Sequence, residues 1–119
     1  MDTRQQISLS IAQEFSKIPG PRTRAEGEHS AEEFLDTILE FRFDEAVRSH
    51  AVLYIDLDGG FGYGTSFLEE AFGGLARRKK NAQLVIDHIY FKSDEEPYLR
   101  DDVLSYIREA LTGRPKKQR

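Results

Sequence analysis

The stretch AVLYIDLDGGFGYGTSFLEEAFGG, Ala51 to Gly74, decides the fold. It opens with a short apolar run rich in β-branched residues, passes through a loop with glycines at 59, 60, 62 and 64, and ends in a helical pattern. A short apolar run bounded by turn residues reads as a strand buried on both faces. Ser66-Phe67-Leu68-Glu69 has the spacing of a capping box, in which the serine hydroxyl accepts an orphan helix N–H and the glutamate returns the bond. It predicts a helix from Ser66 whose buried face is Leu68, Ala71, Phe72, Leu75 and Ala76. Gly73 and Gly74 fall inside that helix. Each costs about 1 kcal/mol relative to alanine, so the helix is expected to approach a sheet or a partner closely there.

The flanking sequence extends the pattern in both directions. QQISLSI alternates polar and apolar residues and predicts a first strand. The next segment is punctuated by Pro19, Gly20, Pro21 and Gly27. It predicts a loop carrying a short hairpin strand around Arg22–Arg24. SAEE, from Ser30, is a second capping box, followed by Phe34, Leu35, Ile38 and Leu39 on one helical face. Asp44 is expected to cap a further short turn. AQLVIDHIYF predicts a third strand, bent or continuing into a fourth around Ile89–Phe91. A last helix is expected from Pro97 to Leu111, with Leu99, Val103 and Ile107 on one stripe, Gly113 as its terminating residue and Pro115 blocking continuation. Strands alternating with helices imply an α/β layer. The N-terminal hairpin would make its sheet mixed, with helices packed largely on one face. One domain over residues 1–113 and a basic flexible tail over 114–119 complete the expected organisation.

Composition narrows the function classes. The 119 residues carry a formal net charge of −4 and no cysteine, which removes disulfides, thiolate metal sites and a cysteine nucleophile. The charge disfavours specific nucleic-acid binding. Arg77-Arg78-Lys79-Lys80 reads as a helix C-terminus favouring cations, and Arg114, Lys116, Lys117 and Arg119 as a solvated tail. No apolar run reaches spanning length and the N-terminus has no signal-peptide core. A cytoplasmic location without membrane association is the expectation.

Three kinds of chemistry use letters like those of the opening stretch. YIDLDGG resembles the first motif of haloacid-dehalogenase-type phosphatases. That resemblance implies Asp56 as nucleophile, Asp58 as acid/base and Mg²⁺ to neutralise phosphate. Thr65, Lys92 and Asp101–Asp102 are the residues such an enzyme would recruit, but the last pair lies within a helical stripe and about sixty residues are few for that fold. A phosphate cradle fails because Thr65 stands where the lysine after Gly64 is required, and because the Gly60-x-Gly62 pattern has no third glycine. A receiver-like phosphoacceptor at Asp56 needs an acidic pair after the first strand, and none follows QQISLSI.

From AVLYIDLDG to Leu75 the chain resembles a STAS domain, the anti-anti-sigma type of signalling module. In that family an apolar strand ends in Asp-Leu-x-Gly, matched by Asp56–Gly59, and a Ser-Ser turn leads into a helix, matched by Gly64–Phe67. The match is closer to a STAS-like family of unknown function. Its helix entry is echoed by SFLEEAF (Ser66 to Phe72), and an earlier helix start by SAEEF (Ser30 to Phe34). The resemblance implies a single STAS-like domain and a non-catalytic protein–protein interaction module in bacterial signalling. It implies a protein partner such as a histidine-kinase-like ATP-binding switch protein, and no cofactor or metal. Thr65 takes the place of the serine that a partner kinase phosphorylates, with Ser66 beside it, and Gly64 replaces the usual aspartate.

The expected docking residues are Phe61, Tyr63, Thr65, Ser66, Glu69 and Glu70. Phe61 and Tyr63 serve equally as anchors for a partner or as a lid over the core. Asp56 and Asp58 read first as strand-end residues bonding local N–H groups. His29, His50 and His88 lack metal-ligand spacing. An enzyme requires Asp56, Asp58 and Lys92 to converge in a pocket. A docking module requires Phe61, Tyr63 and the Thr65 hydroxyl on one exposed face.

Overall fold

The computed structural model describes residues 3–112. Strands β1 (Gln6–Ser10), β2 (Val52–Asp56) and β3 (Ile89–Lys92) form one sheet in that order. Both pairings are parallel. The α/β class stands. Among the described residues the sheet is parallel throughout, where a hairpin-bearing mixed sheet was expected. Residues 19–30 supply no strand because their backbone bonds are spent elsewhere. Gly20 N–H donates to the His29 carbonyl at 2.8 Å, and the Pro21 and Arg22 carbonyls accept the N–H groups of Ala31 and Glu32. The segment thus satisfies orphan donors of the following helix, and a 3₁₀ turn (Arg24–Glu26) stands where the hairpin strand was expected. Gly20 is required there, since a Cβ would lie 2.1 Å from the Glu28 carbonyl oxygen.

Two long helices connect the strands, over residues 31–48 and 65–79. Each contains one π-helical segment, Leu35–Leu39 and Glu69–Gly73. Ser30 caps the first as its sequence foretold, its Oγ accepting the Glu33 N–H at 3.1 Å. Asp44 caps nothing: the helix runs through it to Arg48. Its carboxylate lies 2.6 Å from Lys79 Nζ instead. Successive right-handed crossovers in one direction place both helices on the same face of the sheet. Leu9, Leu53, Ile55, Ile89 and Phe91 point into that layer and are buried, while Gln6, Ser8 and Tyr90 are exposed on the other side. Phe34, Phe67 and Phe72 fill the space between the helices, and Phe72 meets Phe91 edge-on at 4.9 Å.

AQLVIDHIYF divides into a helix (Ala82–Asp87) and β3. Lys80 ends the second long helix in the left-handed conformation, and Asn81 caps the next one, its Oδ1 accepting the Leu84 N–H at 3.0 Å. A short apolar run does not separate strand from buried helix by pattern alone; the Asn81 cap decides it. The last helix spans Tyr98–Glu109 and buries Leu99, Val103 and Ile107 as expected. Gly113 and residues 114–119 lie outside the described residues.

Gly73 and Gly74 have a steric reason. A Cβ on Gly73 would sit 2.7 Å from Glu69 Oε2, and one on Gly74 3.1 Å from Leu35 Cδ2. The close approach is to the other long helix and to a carboxylate lying along the helix's own surface, where a sheet or a partner was expected. Phe72→Ala, which empties the contact between the helix layer and β3, is expected to cost about 3–5 kcal/mol, read as a lowered urea midpoint with an unchanged slope.

Candidate functional site

Parallel strands end together. Ser10, Asp56 and Lys92 are paired in register, so the loops that follow them gather at one end of the sheet, the usual binding end of an α/β layer. The glycine-rich loop crosses this end and is tied down on both sides. Phe61 N–H donates to the Lys17 carbonyl at 2.9 Å, and Gly59 N–H donates to Glu95 Oε1 at 3.0 Å. Gly59 (φ 91°) and Gly62 (φ 124°) occupy backbone conformations that other residues rarely adopt.

Asp58 holds the loop after β2 to the loop after β3. Its Oδ2 accepts from Lys92 Nζ at 2.6 Å and from Asp94 N–H at 3.0 Å, and its Oδ1 accepts from Glu95 N–H at 2.9 Å. Only 12% of its side chain is exposed. Burial pushes this carboxyl up, but the Lys92 ammonium and the two backbone N–H groups outweigh it and hold it below the usual carboxylate range. Asp58 and Asp94 in turn push the Lys92 ammonium well above its ordinary value. Asp56 closes the strand end, its Oδ1 accepting the Asp58 N–H at 2.9 Å, and stands 3.9 Å from Lys92 Nζ. The structure therefore brings Asp56, Asp58 and Lys92 together. Asp101 and Asp102 are exposed in the last helix. Among the described residues, no three acidic or histidine side chains are grouped to hold a metal ion.

The docking candidates separate into exposed and engaged groups. Phe61 is 84% exposed, and Thr65 and Ser66 are exposed beside it at the helix entry. Tyr63 turns inward and packs on Phe67 at 6.2 Å, partly buried against the core. Burial, with Asp56 and Asp58 nearby, pushes its hydroxyl well above the ordinary tyrosine value. Ser66 does not cap its helix, contrary to expectation. The helix begins at Thr65, Gly64 is the residue before it, and no side chain caps the first turn. Glu69 cannot reach back to Ser66 because it is held by cations from elsewhere. Arg22 Nη1 donates to both Glu69 and Glu70, and Arg77 Nη1 donates to Glu69 Oε2 at 2.9 Å.

Sequence reasoning missed Ile18, Arg22, Arg77 and Glu95 as parts of this end. Ile18 is 67% exposed and adjoins Phe61 through the Lys17 carbonyl. The partners of Ile18's loop, Arg22 and Glu95 lie tens of residues away in the chain, so no local pattern marks them, whereas Arg77 reaches Glu69 from eight residues further along the same helix. The basic run at 77–79 is likewise committed to carboxylates: Arg78 to Asp36 and Glu40, and Lys79 to Glu40 and Asp44.

A family model described as a STAS-like domain of unknown function matches residues 30–99. The chain belongs to this STAS-like family. The match runs from the cap of the first long helix, across β2 and the glycine-rich loop, to the start of the last helix, and so contains most of the site. No curated protein and no solved structure matched the chain. No helix among the described residues of this STAS-like domain is long and apolar enough to cross a membrane.

Asp58→Asn is expected to lower the thermal midpoint by a few degrees at pH 7, because the ion pair and the charge on its backbone bonds are lost. The folded-state pKa is depressed, so the stabilisation is present above the unfolded carboxyl value, about 3.9, and fades as pH falls through the lower folded value. Melting curves of wild type and variant should therefore converge as pH falls from about 4 through that lower folded value.

Proposed function

We propose that this STAS-like domain is a non-catalytic regulatory module of bacterial signalling. It docks a protein partner through the loop from Gly59 to Ser66 and the first turn of the helix behind it. One observation carries the reading: Phe61 is 84% exposed on a loop whose backbone is bonded to both neighbouring loops. An aromatic side chain on a fixed backbone offers contact area at little cost in conformational entropy. The partner class that the STAS resemblance favours is a histidine-kinase-like ATP-binding switch protein. Thr65, with Ser66 beside it, is the hydroxyl we assign to a phosphorylation switch. A phosphate on Thr65 would meet an uncapped helix start. The repulsion from Glu69, one turn on, is reduced because Arg22 and Arg77 already engage that carboxylate.

A second reading draws on the convergence of Asp56, Asp58 and Lys92: Mg²⁺-dependent phosphoryl transfer with Asp56 as nucleophile and Asp58 as acid/base. Against it, both Asp58 oxygens already accept bonds that hold two loops together. A metal ligand or proton donor at Asp58 would have to break them.

Three measurements test these readings. A photo-crosslinking amino acid at position 61 is expected to give a defined adduct with a second protein in cells, and one at Tyr90 on the exposed sheet face is not. Equal labelling from both positions would remove the docking reading. With p-nitrophenyl phosphate and Mg²⁺, wild type is expected to show no turnover above buffer. Metal-dependent hydrolysis abolished by Asp56→Asn would establish the enzyme instead. For the switch, mass spectrometry after incubation with the crosslinked partner and ATP is expected to place one phosphate on Thr65, and an unmodified peptide spanning residues 65–77 would eliminate it.

A further inference from the structure

The exposed apolar surface at this end is set in an unusually acidic surround, and the two together specify the chemistry of what binds. Ile18 and Phe61 are 67% and 84% exposed and belong to loops joined by the Phe61–Lys17 backbone bond. Neither side chain is part of the hydrophobic core. Gly60 packs against the Lys17 backbone so closely that a Cβ would lie 3.1 Å from its carbonyl oxygen. The two loops are therefore clamped together, and both apolar side chains are presented from a fixed base.

The charge around them is one-sided. The three segments at this end, residues 11–30, 56–64 and 92–96, hold eight carboxylates (Glu14, Glu26, Glu28, Asp56, Asp58, Asp94, Glu95, Glu96) and four cations (Lys17, Arg22, Arg24, Lys92). Their net charge of −4 equals that of the whole chain. Three of those cations are committed: Arg22 to Glu69 and Glu70 and Arg24 to Asp36, on the long helices, and Lys92 to Asp58 and Asp94 within this end; of the carboxylates, Glu14 is paired with Arg42. Asp94 is 73% exposed, and Glu95, which touches the loop at Gly59, is exposed as well.

We infer that the partner engages this end with a basic segment that also carries an apolar side chain, the cations meeting Asp94, Glu95 and Asp56 and the apolar group meeting Phe61 and Ile18. This rests on the docking reading above and names the chemistry of its partner. An apolar contact ringed by one sign of charge selects the opposite sign, because a like-charged or neutral segment would lose solvation of the carboxylates without compensation. The acidic surround sets the approach and its salt dependence, and the apolar pair provides the surface removed from water.

The test uses the full chain and fluorescence anisotropy with three labelled peptides of equal length: lysine–leucine, lysine–serine and glutamate–leucine. The lysine–leucine peptide is expected to bind at least about tenfold more tightly than either of the others. Its affinity should weaken as salt rises from about 0.05 M to about 0.3 M. Phe61→Ser is expected to weaken it by about tenfold, and Glu95→Gln, which removes the charge but keeps the acceptor for Gly59 N–H, to weaken it severalfold, with thermal midpoints unchanged for both. Equal binding of the lysine–serine peptide, or an unaffected Phe61→Ser variant, would reduce the surface to non-specific charge and overturn the inference. Tight binding of the glutamate–leucine peptide, or no binding of any peptide, would overturn it too. The crosslink from position 61 reads the docking reading separately: an adduct formed through an acidic or uncharged segment of the partner leaves docking standing and removes only the basic-segment assignment.

Discussion

The parallel pairing of β2 with both neighbours is the constraint on which the rest depends. A parallel neighbour cannot be reached by a tight turn, so each strand must be followed by a crossover long enough to return to the start of the next. Two such crossovers running in one direction stack their helices on one face and leave every strand's carboxyl end on the same side. Ser10, Asp56 and Lys92 lie side by side for this reason, and so do the three loops that follow them. The site is a consequence of the sheet's direction before it is a consequence of any particular side chain.

Aromatic packing and ion pairs divide the work of holding the two long helices. Phe34, Phe67 and Phe72 exclude water between the helices and the sheet, the non-directional part of the stabilisation. Around that core, Arg22 and Arg77 gather Glu69 and Glu70, and Arg78 and Lys79 reach Asp36, Glu40 and Asp44 on the facing helix. Partly exposed pairs of this kind contribute little each. Their geometry still matters, because they take up the basic run and the acidic helix entry that would otherwise read as free charge. Gly73 and Gly74 are the backbone counterpart: without side chains there, Glu69 can lie along the helix and Leu35 can pack against it.

The same geometry changes how the opening motif is understood. Asp-Leu-Asp-Gly reads as a nucleophile loop by its letters, yet Asp58 is a fastener between loops and Asp56 a strand-end acceptor. The exposed material is instead Phe61, Ile18, Thr65 and Ser66. A tethered loop displaying apolar side chains among carboxylates suits recognition of another chain, in keeping with a STAS-like domain as a regulatory module.

Local signals were legible in the sequence wherever the deciding contact was local. Ser30 caps its helix because its hydroxyl reaches the backbone N–H three residues on, at Glu33, and β1, β2 and the last helix follow from alternation, apolar run and 3.6-residue stripe. The Asn81 cap was equally local, and was passed over because the apolar run after it fits a strand as well as a helix. Where the deciding contact was distant, the reading failed. Ser66-x-x-Glu69 has the letters of a capping box, but Arg22, 47 residues away, takes the glutamate. The loop after Pro19 has hairpin punctuation, but its carbonyls serve the helix start at Ala31. By itself the sequence determined the α/β alternation, the buried faces and the family, since these depend on periodicity and short motifs. Only the tertiary structure decided which carboxylates are fasteners and which aromatic is left in solvent, because those outcomes depend on loops that meet only after the parallel strands have aligned.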